Sequence, residues 1–135
     1  MTDRELMEKA QKAREKAYCP YSSFAVGAAL LTKSGRVYTG CNIENAAFGP
    51  TVCAERTAFF AAVAAGEREF AALAVLGGPA DAPGRFTPPC GVCRQVMAEF
   101  CSPGFRILLG CPESFRSYSL EELMPLSFGA DRLSE

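Results

Sequence analysis

The stretch CAERTAFFAAVAAGEREFAALAVLGG, residues 53–78, places an apolar helix directly before an apolar strand. Residues 53–65 predict a helix that ends at Gly66. Residues 70–78 form an uninterrupted apolar run, which predicts a strand buried on both faces. From residue 57 to 65 the helix carries no charge on any side, and a helix that is apolar all round must be buried all round. The helix therefore indicates an oligomer in which another copy covers its outer face.

The rest of the chain continues the alternation of helices and strands in both directions. The other predicted elements are a helix over 2–17, strands over 24–31 and 36–44 that form a hairpin, a helix over 90–101, strands over 105–110 and 114–119, and a short helix over 120–124. This order predicts an α/β fold, a three-layer α/β/α sandwich with a mixed five-stranded sheet. We expect residues 1–135 to form a single catalytic domain.

Composition excludes several classes of function. The net charge is −1 and no basic stripe appears, so neither nucleic acid nor an anionic membrane is an expected partner. The N-terminal helix lacks the apolar region of a signal peptide, and no apolar run is long enough to span a membrane. Seven cysteines, an odd number, without an export signal predict a cytoplasmic protein whose thiols stay reduced. Clustered cysteines in such a protein more often bind metal or take part in catalysis.

Three cysteines stand at predicted helix starts. Cys90 and Cys93 form a C-x-x-C motif, which alone is only moderately specific and is compatible with a redox pair, half of a zinc site, or chance. Cys53 opens the preceding helix, and two similar crossovers would bring both helix N-termini to one edge of the sheet. Helix N-termini favour the thiolate form that binds zinc. Three protein ligands leave one position open, as in catalytic zinc sites, so we expect one Zn²⁺ per chain.

Two charged side chains adjoin the first of these cysteines. Glu55 is two residues from a metal ligand, within reach of a water at the open position, and can act as general base and then general acid. The chain has no histidine, so three thiolates on Zn²⁺ would leave the site at −1. Arg56 beside Cys53 would offset that charge and restore the acidity of the metal.

Longer motifs surround these residues. PYSSFAVGAALL, GRVYTGCNIENAAFGPTVCAERTA, PPCGVCRQVMAEF and LEELMPLSFG together resemble the small homotetrameric type of the cytidine deaminase family, over about residues 5–130. The resemblance implies zinc-dependent hydrolytic deamination of cytidine and deoxycytidine to uridine and deoxyuridine, a reaction of pyrimidine salvage. In that reaction activated water attacks C4 of the base, and Glu55 protonates N3 and then the leaving amino group.

The resemblance also implies a set of substrate contacts. By this resemblance, Phe24 stacks on the pyrimidine, and Asn42 and Glu44 bind the ribose on its 3′-hydroxyl side. The Ala54 amide contacts the base carbonyl, and the Pro88 carbonyl receives the departing amine. Phe128 closes the pocket of a neighbouring subunit. The last role implies a homotetramer with shared active sites. Phe48 stands where many relatives have tyrosine, and Pro88 where serine or threonine is common.

Other interpretations of the same residues stay open at this stage. The three cysteines can be buried packing residues, because free cysteine behaves as a small hydrophobe. A second possibility keeps the zinc but changes the substrate to a cytosine-containing antibiotic such as blasticidin. A third is a zinc-stabilised binding module without turnover, which would need a fourth protein ligand. RNA editing is weaker still, because the chain lacks a basic surface.

Overall fold

A computed structural model of the chain describes residues 1–133. The helices are α1 (Asp3–Arg14), α2 (Ala54–Ala64), α3 (Gly91–Phe100) and α4 (Leu120–Leu123), followed by a 3₁₀ turn (Ala130–Arg132). The strands are β1 (Phe24–Thr32), β2 (Val37–Cys41), β3 (Phe70–Pro79), β4 (Arg106–Cys111) and β5 (Ser114–Ser119). Every element predicted from the sequence is present, in the predicted order.

The strands form one sheet in the order β2-β1-β3-β4-β5 within the described residues. β1 is antiparallel to both β2 and β3, and β4 is antiparallel to β5, whereas β3 and β4 are parallel. In the register, Ala28 of β1 stands opposite Gly40 of β2 and Val75 of β3. It follows that β2, β3 and β4 run in one direction. The predicted mixed five-stranded sheet is confirmed.

Helices cover both faces of the sheet, because alternate residues of the central strands point to opposite sides. On one face α1 packs against the small side chains of the inner strands; the buried residues there are Leu6, Met7, Ala10, Ala29, Ala72, Ala74, Leu76 and Leu108. On the other face α2, α3 and α4 pack on the neighbouring strand positions; the main buried residues are Ala58, Phe59, Ala62, Cys93, Met97, Leu120, Leu30, Leu73, Val75, Ile107 and Leu109. The three-layer sandwich is therefore confirmed.

The predicted ends of the elements are close to those observed. The Thr2 hydroxyl accepts the Glu5 N–H (3.1 Å) at the start of α1, and Ser119 and Glu122 form a reciprocal capping box at α4. The largest differences, three residues each, are at the end of α1, which is at Arg14 and not at residue 17, and at the end of β2, which is at Cys41 and not at residue 44. Beyond Cys41 the chain leaves β1, because Ile43 pairs with Tyr18 and Val52 instead.

Gly40 lets α2 approach the sheet closely. A Cβ atom at this position would lie 2.5 Å from the Ala54 carbonyl oxygen and 2.6 Å from the Ala58 nitrogen. Contacts that close do not occur between real Cβ atoms and main chain, so only glycine fits here. The first turn of α2 is thereby held directly against β2.

The outer face of α2 is exposed in a single chain. Phe60 is 49% exposed, and Ala61 and Ala64 are also exposed, whereas Phe59 on the opposite side is fully buried. The expected burial all round thus does not occur within one chain, and the oligomer stays a prediction. No helix in residues 1–133 has the length and apolar character needed to cross a membrane.

Candidate active site

Two helix starts meet at one edge of the sheet. α2 follows β2, α3 follows β3, and these two strands run in the same direction, so both helices begin at the carboxyl ends of their strands. Cys53 is the N-cap of α2 and Cys90 is the N-cap of α3. Neither side chain makes a capping hydrogen bond, unlike most polar N-cap residues. Both sulfurs are therefore available to a ligand.

The three sulfur atoms predicted to bind zinc lie together. The Sγ atoms of Cys53, Cys90 and Cys93 are all within 4.8 Å of one another. Cys53 and Cys90 are 3.7 Å apart and Cys90 and Cys93 are 3.4 Å apart. Sulfurs at ~2.3 Å from a tetrahedral zinc would be about 3.8 Å apart. The donor set and its spacing thus fit a zinc ion.

Arg56 inserts its guanidinium among the sulfurs. Its Nη2 donates to Cys53 Sγ at 3.5 Å, and this hydrogen bond, followed by one to Cys93, raises the pKa of Arg56 above its usual value. Among the described residues, the Arg56 Nε atom is buried without a hydrogen-bond partner. A half-buried cation with a spare donor suits a site rich in negative charge, which three thiolates would provide.

The thiols interact strongly. Hydrogen bonding from Cys93, helped by Arg56 and Cys90, lowers the pKa of Cys53 to about 5 despite the burial that opposes it. The pKa of Cys93 is raised, because its thiol donates to Cys53 and is buried near Glu55. The lowered pKa favours the thiolate form of Cys53, which is the form that binds a metal cation.

Glu55 lies beside the sulfur cluster and is only 4% exposed. Burial raises the pKa of Glu55 to about 7, and the charge on Cys53 adds to the rise, while its own backbone N–H and Cys93 oppose it. An isolated glutamate in the first turn of a helix is usually a solvated surface residue. Its burial here, next to three candidate ligands, is the arrangement of an acid–base residue.

The ring of Phe24 and the side chain of Thr87 both lie beside Gly77 of β3. A Cβ atom at Gly77 would lie 3.2 Å from Phe24 Cε1 and 3.2 Å from Thr87 Oγ1. A Cβ at Gly77 would also lie 2.9 Å from Val26 Cγ2. The absence of a side chain at Gly77 thus leaves room for the ring of Phe24 and for the side chain of Thr87.

Asn42 and Glu44 both bind main chain of the segment around Phe24. Asn42 is buried, accepts the Val26 N–H (2.9 Å) and donates from Nδ2 to the Phe24 carbonyl (2.8 Å). Glu44 Oε1 accepts the N–H groups of Tyr21 (3.0 Å) and Ser22 (3.1 Å). The two residues predicted to bind the sugar are therefore held against the residue predicted to stack on the base.

The remaining predicted contacts occupy varied positions. Ala54 is buried at the first turn of α2, where backbone N–H groups have no intrahelical acceptor. Pro88 is exposed, whereas Pro89 is buried and its carbonyl accepts Arg94 Nε (2.8 Å). Phe128 is 58% exposed in a single chain, and its contribution to a neighbouring subunit's pocket stays a prediction.

Four residues with contacts near this site were not identified from the sequence. Gly77 and Ser22 lie inside runs that were assigned to a strand and a motif without roles of their own. Arg94 connects Pro89 to the Leu123 carbonyl (2.6 Å), and the adjacent Gln95 donates to the Phe128 carbonyl (2.9 Å). The arginine and glutamine directly after Cys93 were the available sequence signal for these contacts. Two of their three hydrogen bonds, however, go to main-chain carbonyls more than 25 residues away.

Comparisons with known proteins agree with this geometry. The family model of the cytidine and deoxycytidylate deaminase zinc-binding region matches residues 1–108. The cytidine deaminase of Sporosarcina psychrophila is 49% identical over 130 residues, 96% of this chain and 93% of the relative, and that of Halalkalibacterium halodurans is 48% identical over 131 residues, 96% of each.

A solved structure is equally similar. The crystal structure of cytidine deaminase from Burkholderia pseudomallei superposes with a TM-score of 0.86 at 50% identity, covering 95% of this chain and 100% of that one. Sequence and fold thus agree over almost the whole length, including the segment that carries the sulfur cluster. With residues 1–108 matched by the family model and about half of its residues shared with these relatives, the chain belongs to the cytidine and deoxycytidylate deaminase family.

Proposed function

We propose that this chain catalyses the zinc-dependent hydrolytic deamination of cytidine and deoxycytidine to uridine and deoxyuridine, with release of ammonia. One observation carries the proposal. Three thiols from two helix starts converge within 4.8 Å, with the buried Glu55 beside them. No structural zinc site needs a buried, uncoordinated carboxylate, whereas a hydrolytic site needs one to move protons.

Cys53, Cys90 and Cys93 would hold one zinc ion per chain. Zinc with three protein ligands supplies a Lewis acid with an open coordination position, which makes water a nucleophile near neutral pH. Arg56 lies 3.5 Å from Cys53 Sγ and offsets the net negative charge that three thiolates leave on the site.

Glu55 moves the protons of the reaction. Water adds to C4 of the cytosine ring, forming a C–O bond, and Glu55 takes a proton from that water and delivers it to N3. Glu55 then takes the proton of the new C4 hydroxyl and passes it to the amino group at C4, so that the C4 carbonyl of the product forms as the amine departs. The C4–N bond breaks, and the amine leaves as ammonia past the Pro88 carbonyl. Because Glu55 is buried, bulk water does not compete for these protons.

The substrate is held at both of its ends. Phe24 stacks on the pyrimidine, and the Ala54 N–H donates to the base carbonyl. Asn42 and Glu44 bind the ribose hydroxyl on the 3′ side. A carboxylate at the sugar repels phosphate, so nucleosides are preferred to nucleotides.

The test combines turnover with metal analysis. Wild-type protein should contain about one zinc per chain and deaminate cytidine and deoxycytidine, with activity lost in chelator. Glu55→Gln should keep the zinc and lose 10²–10⁴-fold in kcat, whereas Glu113→Gln, the same change at an exposed turn position, should behave as wild type. Arg56→Gln should keep zinc and lower kcat. Full activity of metal-free protein, or turnover of blasticidin but not of cytidine, would overturn the proposal.

We also propose that the chain acts as one catalytic domain in a homotetramer with shared active sites. The exposed face of α2 around Phe60 supports coverage by another copy, and the exposed Phe128 supports a contribution to the neighbouring pocket. Sedimentation equilibrium should give four times the mass of the chain; a monomer would refute the assembly. All seven cysteines are free, which supports the reducing cytoplasm as the compartment; fractionation of cells would test it.

A further inference from the structure

The carboxylate of Glu44 is held by three donors from one short segment. Its Oε1 accepts the N–H groups of Tyr21 (3.0 Å) and Ser22 (3.1 Å), and its Oε2 accepts the Ser22 hydroxyl. Two successive backbone N–H groups aimed at one oxygen form a small anion-binding concavity. The hydrogen bond from the Ser22 hydroxyl, followed by the two backbone bonds, keeps the pKa of Glu44 below its usual value.

Ser22 also binds the main chain of Phe24. Its Oγ accepts the Phe24 N–H at 3.0 Å while donating to Glu44. Between them, Ser23 adopts a left-handed conformation with φ of 55°, which is uncommon for a residue with a side chain. Strained backbone of this kind persists where surrounding contacts determine it and is frequent at functional sites. The hydroxyl of Ser22 is therefore the link between two residues that contact different parts of the proposed substrate.

The acceptor positions of Glu44 are nearly all in use. An ionised carboxylate offers about four positions, two on each oxygen. Two on Oε1 are taken by backbone N–H groups and one on Oε2 by Ser22. One position on Oε2 remains, and its direction is set by the bond from Ser22. A sugar hydroxyl that donates to Glu44 must approach along that direction.

We propose that Ser22 is a positioning residue, whose hydroxyl joins the carboxylate that binds the sugar to the backbone of the aromatic residue that stacks on the base, and so fixes the distance between the two subsites. The inference rests on the proposed function and deepens it. Asn42 supports the same unit from the other side, because its amide binds the Phe24 carbonyl and the Val26 N–H. Without the Ser22 hydroxyl, Glu44 keeps its two backbone donors, but Oε2 is free to turn away from the sugar.

The experiment compares two substrates in three variants. Ser22→Ala removes the link, Ser22→Thr keeps a hydroxyl at the same exposed position, and Ser117→Ala removes an equivalent hydroxyl from exposed edge strand β5 as a control. kcat and KM are measured for cytidine and for 2′,3′-dideoxycytidine, whose sugar offers Glu44 no 2′- or 3′-hydroxyl. Where dideoxycytidine turns over too slowly, its Ki against cytidine replaces KM. Zinc content and urea midpoints are recorded for every variant.

Ser22→Ala should lower kcat/KM for cytidine about tenfold, mainly through KM, the usual effect of losing one charge-assisted hydrogen bond. For dideoxycytidine the loss should be below about threefold, because the group that Ser22 orients has no partner there. Ser22→Thr should recover most of the loss, and zinc content should not change. Equal losses on both substrates, or no loss on cytidine, overturn the inference while leaving the proposed function intact. A wild-type protein that deaminates neither substrate overturns both.

Discussion

Arg14, the last residue of α1, donates four hydrogen bonds to main-chain carbonyls of three separate segments. Nε donates to Ala25 (2.8 Å), Nη1 to Ala82 (2.9 Å), and Nη2 to Gly78 (3.0 Å) and Pro79 (2.7 Å). The guanidinium thus joins the start of β1, the end of β3 and the following loop. We predict that Arg14→Ala lowers the free energy of unfolding by about 3 kcal/mol.

The magnitude follows from the bonds that are lost. A net intramolecular hydrogen bond contributes ~0.5–1.5 kcal/mol, so four contribute roughly 2–6 kcal/mol. A value of about 3 kcal/mol, in the lower half of that range, is expected because Arg14 is only half-buried and water can reach some of the carbonyls. Arg14→Lys keeps the charge but not the planar fork of donors, so it should recover less than half of the loss.

Arg4→Ala is the matched control on the same helix. Arg4 is exposed and, within residues 1–133, pairs only with Glu8 at 3.2 Å, an i,i+4 contact that contributes about 0.3–0.5 kcal/mol. The free energy of unfolding is measured by urea denaturation at one protein concentration, because assembly of subunits would make it concentration-dependent. An Arg14→Ala loss no larger than that of Arg4→Ala would refute the structural role assigned to the guanidinium.

Two further predictions concern the packing of α2 and the pairing of α1 with β4. Gly40→Ala should destabilise the protein by roughly 1–3 kcal/mol in urea denaturation and lower its zinc content. The reason is that the new Cβ would lie 2.5 Å from the Ala54 carbonyl oxygen, beside Cys53. Gly104→Ala, where a Cβ would have no atom within 4 Å, should change neither stability nor zinc content. Arg106 Nη1 donates to Asp3 Oδ2 at 2.9 Å, and this hydrogen bond, with the charge of Arg106, lowers the pKa of Asp3 below its usual value. The pair therefore stabilises the protein above about pH 4. This contribution is lost as pH falls through the lowered pKa. Asp3→Asn should therefore reduce stability by less than 1 kcal/mol at pH 7, since both side chains are partly exposed, and by less still in acid; a constant difference across pH would contradict the pairing.

The order of elements was predictable because it depends on local pattern. Buried strands are continuous apolar runs, and capping residues such as Thr2 and Ser119 mark helix starts wherever they occur. The convergence of Cys53 with Cys90 was predictable for a related reason. Each cysteine opens a helix after a strand, and connections of the same kind bring their helix starts to the same edge of a sheet.

The contacts that tune the site were not predictable in this way. Their partners are main-chain atoms distant in sequence, which no spacing rule identifies: Arg14 binds the Pro79 carbonyl, and Arg94 binds the Leu123 carbonyl. Gly77 looks like any strand glycine until the ring of Phe24 is placed against it. Burial of Glu55 also depends on elements from the whole chain, so its sequence position alone favours a solvated residue.

The sequence by itself determined the layers of this protein, the donor set of its candidate metal centre and the family to which it is similar. These depend on residue type and on spacing within a few turns or strands. Only the tertiary structure decided which donors each oxygen of Glu44 accepts from, which side chain joins Glu44 to Phe24, and how far Arg56 stands from Cys53. Such features depend on directions and on distances of a few ångströms between segments. Local sequence pattern specifies the helices and strands, but only the packing of the complete fold fixes those directions and distances.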